Sequence, residues 1–254
     1  MNKETRAERD ADDTTAELVE YLTGFVTAER LERMEAALAE RTRYLTVVVE
    51  DIYQPHNASA VLRTCDCFGV QDVHIIENRN RYRVNPGVEL GTAQWLTLRR
   101  YRERENNTAA ALEAIRARGY RIVATTPHTD QVALEEFDLG AGPAALVFGN
   151  ELDGLSPVAL DHADAHLVIP MYGFVESFNI SVSAAIVLHH LTHALRSSGL
   201  DYRLSADERE AVLLGWLRSS VGRADALERE FYARRAARPG MSVPGEARTT
   251  GEGP

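Results

Sequence analysis

The chain has 254 residues, 44% of them hydrophobic and 26% charged, which is typical of a soluble globular protein with one large domain. A chain of this length can fold without disulfides or a metal, and its two cysteines, Cys65 and Cys67, are predicted to be buried free thiols. The formal net charge of −10 argues against a general nucleic-acid binder, which is normally basic. Without an apolar leader or a run of about eighteen apolar residues, we predict a cytoplasmic protein with no membrane span.

The two ends of the chain are predicted to be helical or unstructured. Residues 1–15 are polar, and apolar residues from 16 to 43 recur at helical spacing, so 1–43 is assigned to an N-terminal tail with helices. Helices are also predicted over 206–218 and 223–237, within a C-terminal extension spanning 199–238. The Pro, Gly and Thr content of residues 239–254 predicts a disordered tail.

Short apolar runs alternate with helical patterns in the middle of the chain. The predicted strands are 45–50, 72–77, 121–126, 144–148 and 166–169, and the predicted helices are 58–68, 107–118 and 179–195. Strands that are apolar throughout indicate burial on both faces of a sheet. The fold class is therefore predicted to be α/β, with a parallel sheet covered by helices on both faces and flanked by the N- and C-terminal helices.

The common cofactor and catalytic motifs are absent from the sequence. The first strand is followed by IYQPHNASAVLRT rather than by a Rossmann G-x-G-x-x-G, and no Walker A, H-E-x-x-H, C-x-x-C or G-x-S-x-G pattern occurs. Gly149, Gly154 and Gly173 instead follow late strands. Since ligands of open parallel sheets bind outside the carboxyl ends of the strands, a site built from late loops is predicted.

Three segments carry polar residues at predicted strand or helix ends. In the first, Asn57 precedes Arg63 on a predicted helix, where alone the two are typical of a helix N-cap and a surface arginine. In the second, an apolar strand runs directly into Gly149-Asn150-Glu151. In the third, the strand end Ile169-Pro170-Met171 leads through a loop to Ser177 and Asn179 at a helix start.

Together these segments resemble the three signature motifs of the TrmH branch of SPOUT-class RNA 2′-O-ribose methyltransferases, with flanking helices like those of its members acting on tRNA guanosine. The resemblance spans about residues 45–195 and implies a methyltransferase domain over 44–198, closed by a deep C-terminal trefoil knot. It also implies a homodimer and the cofactor S-adenosyl-L-methionine, with no metal and no DNA partner.

The resemblance implies a role for each matching residue. Arg63 is the catalytic arginine, expected to hold an RNA phosphate and ease deprotonation of the ribose; that it takes the proton itself is kept as a hypothesis, because a free guanidinium is a poor base. Asn57 positions Arg63 or the substrate, and Glu151 orients the loops or pairs with an arginine. Ser177 and Asn179 bind the cofactor and support the Glu151 loop. The expected cofactor-binding residues are Thr125, Thr126, Gly149, Ile169, Met171, Ser177 and Phe178.

The predicted substrate is the D-loop guanosine of tRNA. The alternatives are 23S rRNA, the tRNA anticodon loop, or a non-catalytic relative that only binds RNA. Three arginine clusters each resemble a solvated face more than an RNA site on their own: 79/81/83, 99/100/102/104 and 234/235/238. Residues His189, His190 and His193 are predicted to be partly buried interface histidines rather than metal ligands.

Overall fold

The computed structural model describes residues 14–127 and 132–237, which form two compact units. Ala36–Ala206 forms one, here called the sheet unit, and the described residues of Met1–Glu35 and Asp207–Pro254 form the other, the helical unit. The disordered tail predicted over 239–254 lies outside the described residues, as does most of the predicted tail 1–15.

Helices from both ends of the chain build the helical unit. Helix α1 covers residues 14–23, α2 is Ala28–Ala39, α8 is Ala206–Ser220 and α9 is Ala224–Ala236. Leu18 and Leu22, one turn apart on α1, are buried. Tyr21 packs on Phe231 of α9 with ring centroids 5.5 Å apart. The helices expected near the two ends are therefore present.

One sheet of seven strands occupies the sheet unit among the described residues. The strands are β1 Leu45–Glu50, β2 Asp72–Ile76, β3 Thr97–Tyr101, β4 Arg121–Thr125, β5 Val132–Ala133, β6 Ala144–Phe148 and β7 Ala165–Val168. Their order is β3-β2-β1-β6-β4-β7-β5, and every ladder between them is parallel. The predicted parallel α/β sheet is confirmed.

Helices cover both faces of this sheet. The helices of the sheet unit are α3 Pro55–Cys67, α4 Pro86–Glu89, α5 Thr108–Arg116, α6 Pro157–Asp161 and α7 Ile180–Ser197. Val47 and Val49 of β1 belong to the core under α3 and α7, whereas Val48 belongs to the core under α5 and α6. All six residues of β1 are buried, which explains why most of the strand is apolar.

Strands β3 and β5 were not predicted. β3 lies at the sheet edge and, within the described part of the chain, pairs only with β2, so its residues are mostly half-buried and its sequence, TLRRY, is polar. Its Arg99 forms an ion pair with Asp72 of the neighbouring strand β2 (3.6 Å), and its Arg100 forms one with Glu77, which directly follows β2 (2.8 Å). The second arginine cluster of the sequence is therefore partly structural.

Two further expectations concern burial. Cys65 is buried as predicted, but Cys67 is exposed, because it lies two residues along α3 and so points away from the core. On α7, His190 is half-buried while His189 and His193 are exposed, with stacked rings 6.5 Å apart.

Across the described residues, none of the helices combines the length and the apolar character needed to cross a bilayer.

Candidate active site

Three loops meet at the carboxyl edge of the sheet. They follow β1, β6 and β7, which end at Glu50, Phe148 and Val168. β6 lies between β1 and β4, and β7 lies beside β4, so parallel strands bring the three following loops to one edge. The three sequence segments singled out above start in these loops.

Hydrogen bonds between side chains join the three segments directly. The Nδ2 group of Asn57 donates to Oε1 of Glu151 at 2.6 Å, and Nδ2 of Asn179 donates to Oδ1 of Asn57 at 3.1 Å. The backbone N–H of Tyr53 donates to the other Glu151 oxygen at 3.4 Å. We call Asn179–Asn57–Glu151 the polar chain. Its central side chain, Asn57, is only 3% exposed.

The contacts of the polar chain bear on three interpretations made from the sequence: Asn57 as a helix N-cap, Glu151 as the partner of an arginine, and Asn179 at the start of a helix. Asn57 is not a helix N-cap, since α3 begins at Pro55 after the capping residue Gln54. Glu151 makes no ion pair with an arginine among the residues that the structure describes; its carboxylate accepts from Asn57 and Tyr53 and so joins its loop to the start of α3. Asn179 caps α7, and its side chain accepts from the backbone N–H of Ser181.

Arg63 lies on the same helix as Asn57, six residues further along. Its side chain is exposed, and it makes no hydrogen bond or ion pair with any other described residue. A guanidinium offers five N–H donors in a planar fork that matches a phosphate or carboxylate. Arg63 is thus a cation without a partner among the described residues, on the helix that carries Asn57.

A cavity of about 330 Å³ opens between the loops that follow β4, β6 and β7. All seven residues predicted to bind the cofactor line it: Thr125, Thr126, Gly149, Ile169, Met171, Ser177 and Phe178. Glu151 also lines it, whereas Asn57, Arg63 and Asn179 do not. The catalytic candidates therefore lie partly outside the cavity that the cofactor candidates enclose.

The Gly149–Leu155 loop depends on a missing side chain. A Cβ on Gly149 would lie 2.1 Å from the carbonyl carbon of Gly154, which is far inside contact distance. The two backbone hydrogen bonds between Asn150 and Gly154, at 3.0 and 3.1 Å, close this loop. Gly154 has φ +69°, a conformation that favours glycine. Only glycine at position 149 allows the loop to fold back on itself.

Buried Glu50 fixes the far end of this loop, and it was not singled out in the sequence. Its carboxylate accepts from the hydroxyl of Ser156 at 2.6 Å and from the backbone N–H of Ser156 at 2.9 Å. Thr108 also donates to it, at 2.6 Å. Glu50 ends a strand of apolar residues, and a carboxylate in such a strand is the signal that was overlooked.

Glu176 is a second lining residue that sequence reasoning missed. Its carboxylate is exposed and makes no hydrogen bond or ion pair within the described part of the chain. The wall formed by Leu155, Leu160, Ile169 and Ile180 is apolar. An apolar wall with strand-end backbone groups and a free carboxylate suits a flat heterocyclic ligand that carries a positive charge.

Comparison with known proteins identifies a family and relatives that are similar to this chain. Residues 44–189 match the SpoU rRNA Methylase family. A tRNA (guanosine(18)-2′-O)-methyltransferase of Borreliella burgdorferi is 41% identical over 210 residues, covering 83% of this chain and 94% of that protein. A protein of the same name from Aquifex aeolicus is 33% identical over 207 residues, covering 80% and 94% of the two chains.

A solved structure agrees with these relatives. The crystal structure of the A. aeolicus TrmH/SpoU tRNA modifying enzyme superimposes with a TM-score of 0.68 at 32% identity, covering 77% of this chain and 98% of that one. The family predicted from the three motifs is thereby confirmed. The match to its sequence pattern covers more than half of the residues, and the chain belongs to the SpoU rRNA methylase family.

Proposed function

We propose that the protein transfers a methyl group from S-adenosyl-L-methionine to the 2′-hydroxyl of guanosine 18 in the D-loop of tRNA. The observation that carries this proposal is the polar chain, which joins the three motif segments beside the cavity. Arg63, on the helix that carries Asn57, has no partner among the residues that the structure describes. The names of relatives that share most of their length with this chain support the tRNA target.

The cavity residues fit S-adenosyl-L-methionine. Its volume of about 330 Å³ falls in the range of small-molecule sites. The apolar wall around Ile169 suits an adenine ring, and the Glu176 carboxylate favours a cationic ligand over a neutral one. When bound, the cofactor supplies a methyl group on a positively charged sulfur. The chain's own contribution is to hold that group where a ribose oxygen can approach it in line.

Arg63 acts on the RNA rather than on the cofactor. It does not line the cavity, and its exposed guanidinium is free to make a two-point contact with a phosphate next to the target ribose. Such a contact positions the 2′-hydroxyl and stabilises the negative charge that develops when its proton leaves. Asn57 holds Glu151 and so positions the loop rather than reacting itself. Transfer of the proton to Arg63 stays a hypothesis.

The finer architecture belongs to the same proposal. We infer that the chain following β6 forms the deep trefoil knot; the sheet order supports this, since β6 inserts between β1 and β4 and β7 lies beyond β4. We also infer a homodimer, because Tyr172, Phe174 and Val175 are at least 70% exposed on a loop with cavity-lining residues at both ends. Light scattering of the purified protein checks the dimer. Cytoplasmic location stays a prediction.

The organisation of the chain is proposed on the same basis. Residues 44–198 form the methyltransferase domain, flanked by 1–43 and by the helical extension 199–238. The proposal is supported by the family match over 44–189 and by the cavity, which is lined entirely from this range.

The test is methyl transfer from labelled S-adenosylmethionine to unmodified tRNA transcripts and to rRNA fragments, with the labelled nucleotide mapped. Label on the ribose of guanosine 18 is expected, and a transcript that carries 2′-deoxyguanosine at position 18 should receive none. Label on rRNA or in the anticodon loop would keep the chemistry but overturn the substrate. No label on any RNA, with S-adenosylhomocysteine still bound, would favour the RNA-binding relative instead.

A further inference from the structure

An arginine-rich segment lies beside the site, and two of its three arginines form no ion pair with the described residues. Residues 78–85, NRNRYRVN, carry three arginines and no carboxylate, in a chain whose net charge is −10. We call these residues the arginine segment. They connect β2 to α4 and contain the first of the three arginine clusters of the sequence.

The first half of the arginine segment is held at the end of β1. One carboxylate oxygen of Asp51, which follows β1 and is 5% exposed, accepts the backbone N–H groups of Asn78 at 2.7 Å, Arg79 at 3.0 Å and Asn80 at 3.3 Å. The Asn80 side chain in turn donates to the Asp51 carbonyl at 2.8 Å. The backbone that carries the arginines is therefore anchored.

The second half reaches the helix that bears Asn57 and Arg63. The backbone N–H of Asn85 donates to the hydroxyl of Ser59 at 2.7 Å, and Ser59 lies between those two residues on α3. At its other end, Arg79 pairs with Asp153 at 2.9 Å, and Asp153 lines the cavity. The arginine segment thus borders both the catalytic helix and the cavity loop.

Arg81 and Arg83 point outwards because the residue between them points inwards. Tyr82 is 8% exposed, and its backbone N–H donates to the buried carboxylate of Glu77 at 2.8 Å. Both neighbouring arginines are exposed and make no hydrogen bond or ion pair with the described residues. By contrast, Arg100 pairs with Glu77.

In the third cluster, the two arginines that the structure describes are paired within the helical unit, and residue 238 lies outside the described residues. Arg234 forms an ion pair with Glu230, and Arg235 forms one with Glu17. Arg102 and Arg104 of the second cluster are, like Arg81 and Arg83, exposed and have no side-chain ion pair among the described residues. The arginine segment differs because its backbone is joined to α3 through Asn85 and Ser59, and because its Arg79 pairs with Asp153 of the cavity.

We propose that the arginine segment binds phosphates of the tRNA backbone next to the target nucleotide, with Arg81 and Arg83 each contacting a phosphate. This inference rests on the proposed function. Phosphate contacts supply most of the sequence-independent affinity for nucleic acid, and arginine suits them geometrically. The segment resolves the conflict between an acidic protein and a polyanionic substrate, because the basic charge is concentrated where the RNA must lie.

The test compares the double variant R81A/R83A with the wild type in tRNA binding, measured by fluorescence anisotropy between 50 and 200 mM salt. Each lost phosphate contact should reduce the slope of log affinity against log salt by about 1, so the double variant should lose about 2. In the methyl-transfer assay at 50 mM salt, the KM for tRNA should rise about tenfold, because two charge-assisted contacts are lost. Affinity for S-adenosylhomocysteine and the Tm should not change, since neither side chain lines the cavity or packs in the core.

Two further variants separate charge from local structure. R81K/R83K keeps both charges and should keep most of the salt slope. R203A removes an exposed arginine of the same unit that lies near the amino end of β1, where residue 203 bridges Thr42, and it should bind tRNA as the wild type does. An R81A/R83A protein with wild-type salt slope and KM, or an R203A protein with an equal loss, would overturn the inference. A wild type that neither binds nor methylates tRNA would instead overturn the proposed function, and the inference with it.

Discussion

Replacing Asn57 with alanine tests whether the polar chain holds the site together. The substitution removes the donor to Glu151 and the acceptor from Asn179 in one step. Alanine is compatible with the helix, so the backbone of α3 should be unaffected. The loss therefore falls on the links between the three motif segments.

The expected loss in stability is about 2–4 kcal/mol. A hydrogen bond to a carboxylate contributes about 1.5–3 kcal/mol and one between two amides about 0.5–1.5 kcal/mol. Glu151 is half-buried and Asn179 exposed, so both can recover part of the loss by binding water. For a chain of this length each kcal/mol lowers the Tm by roughly 2–4 °C.

The assay is urea and thermal unfolding of N57A beside the wild type. H56A is the matched control, because His56 is the exposed neighbour on the same turn of α3 and should leave the stability within about 0.5 kcal/mol of the wild type. N57A should also bind S-adenosylhomocysteine more weakly than H56A does, since the Glu151 loop lines the cavity.

A double-mutant cycle with E151A decides the cause. If the 2.6 Å bond between Asn57 and Glu151 is responsible, the two substitutions should be coupled by about 1.5 kcal/mol or more. A loss in N57A that simply adds to the loss in E151A would refute the reasoning, because the two side chains would then act independently.

Three further predictions concern other parts of the molecule. G149A places a Cβ 2.1 Å from the Gly154 carbonyl carbon, so it should lower the unfolding free energy by about 1–3 kcal/mol and weaken cofactor binding in calorimetry, whereas G173A, which meets nothing within 4 Å, should do neither. R63A should abolish methyl transfer in the labelled assay with nearly unchanged affinity for S-adenosylhomocysteine; an equal loss of both would contradict its assignment to the RNA. Burial lowers the pKa of His74 to about 4, below its unfolded value of about 6.5, so stability should fall by roughly 3 kcal/mol as the pH drops from 6.5 to 4. H74N, which cannot titrate, should show a shallower fall in unfolding measured across this range.

The central strands could be predicted from the sequence because they are buried on both faces. β1 and β6 were located to the residue, since burial on both faces favours apolar side chains at most of their positions. The edge strand β3 was not predicted, because its partly exposed positions accept arginines, which pair with Asp72 in the neighbouring strand β2 and with Glu77 just after it. A polar strand shows no apolar pattern in the sequence, and it can be recognised only from its pairing with a neighbouring strand in the structure.

The cofactor candidates were also reachable from the sequence. Local motifs place glycine and polar residues at strand ends, and all seven of the named residues line the cavity. Glu50 was missed because it ends a largely apolar strand, and Glu176 was missed because it lies in an exposed loop with no recurring pattern. A single carboxylate carries no periodic signal.

By itself the sequence determined which residues end up at the carboxyl edge of the sheet, since strand position and parallel pairing decide that. Only the tertiary structure decided how they are joined. Asn57 is separated from Glu151 by 94 positions and from Asn179 by 122, and sequence periodicity reports contacts only within one element. The same holds for the arginines: Arg81 and Arg100 look alike in the sequence, and both are exposed. Arg100 lies within reach of the buried Glu77 carboxylate and pairs with it, whereas Arg81 has no such partner among the described residues. Which charges remain available for a ligand depends on such through-space pairings.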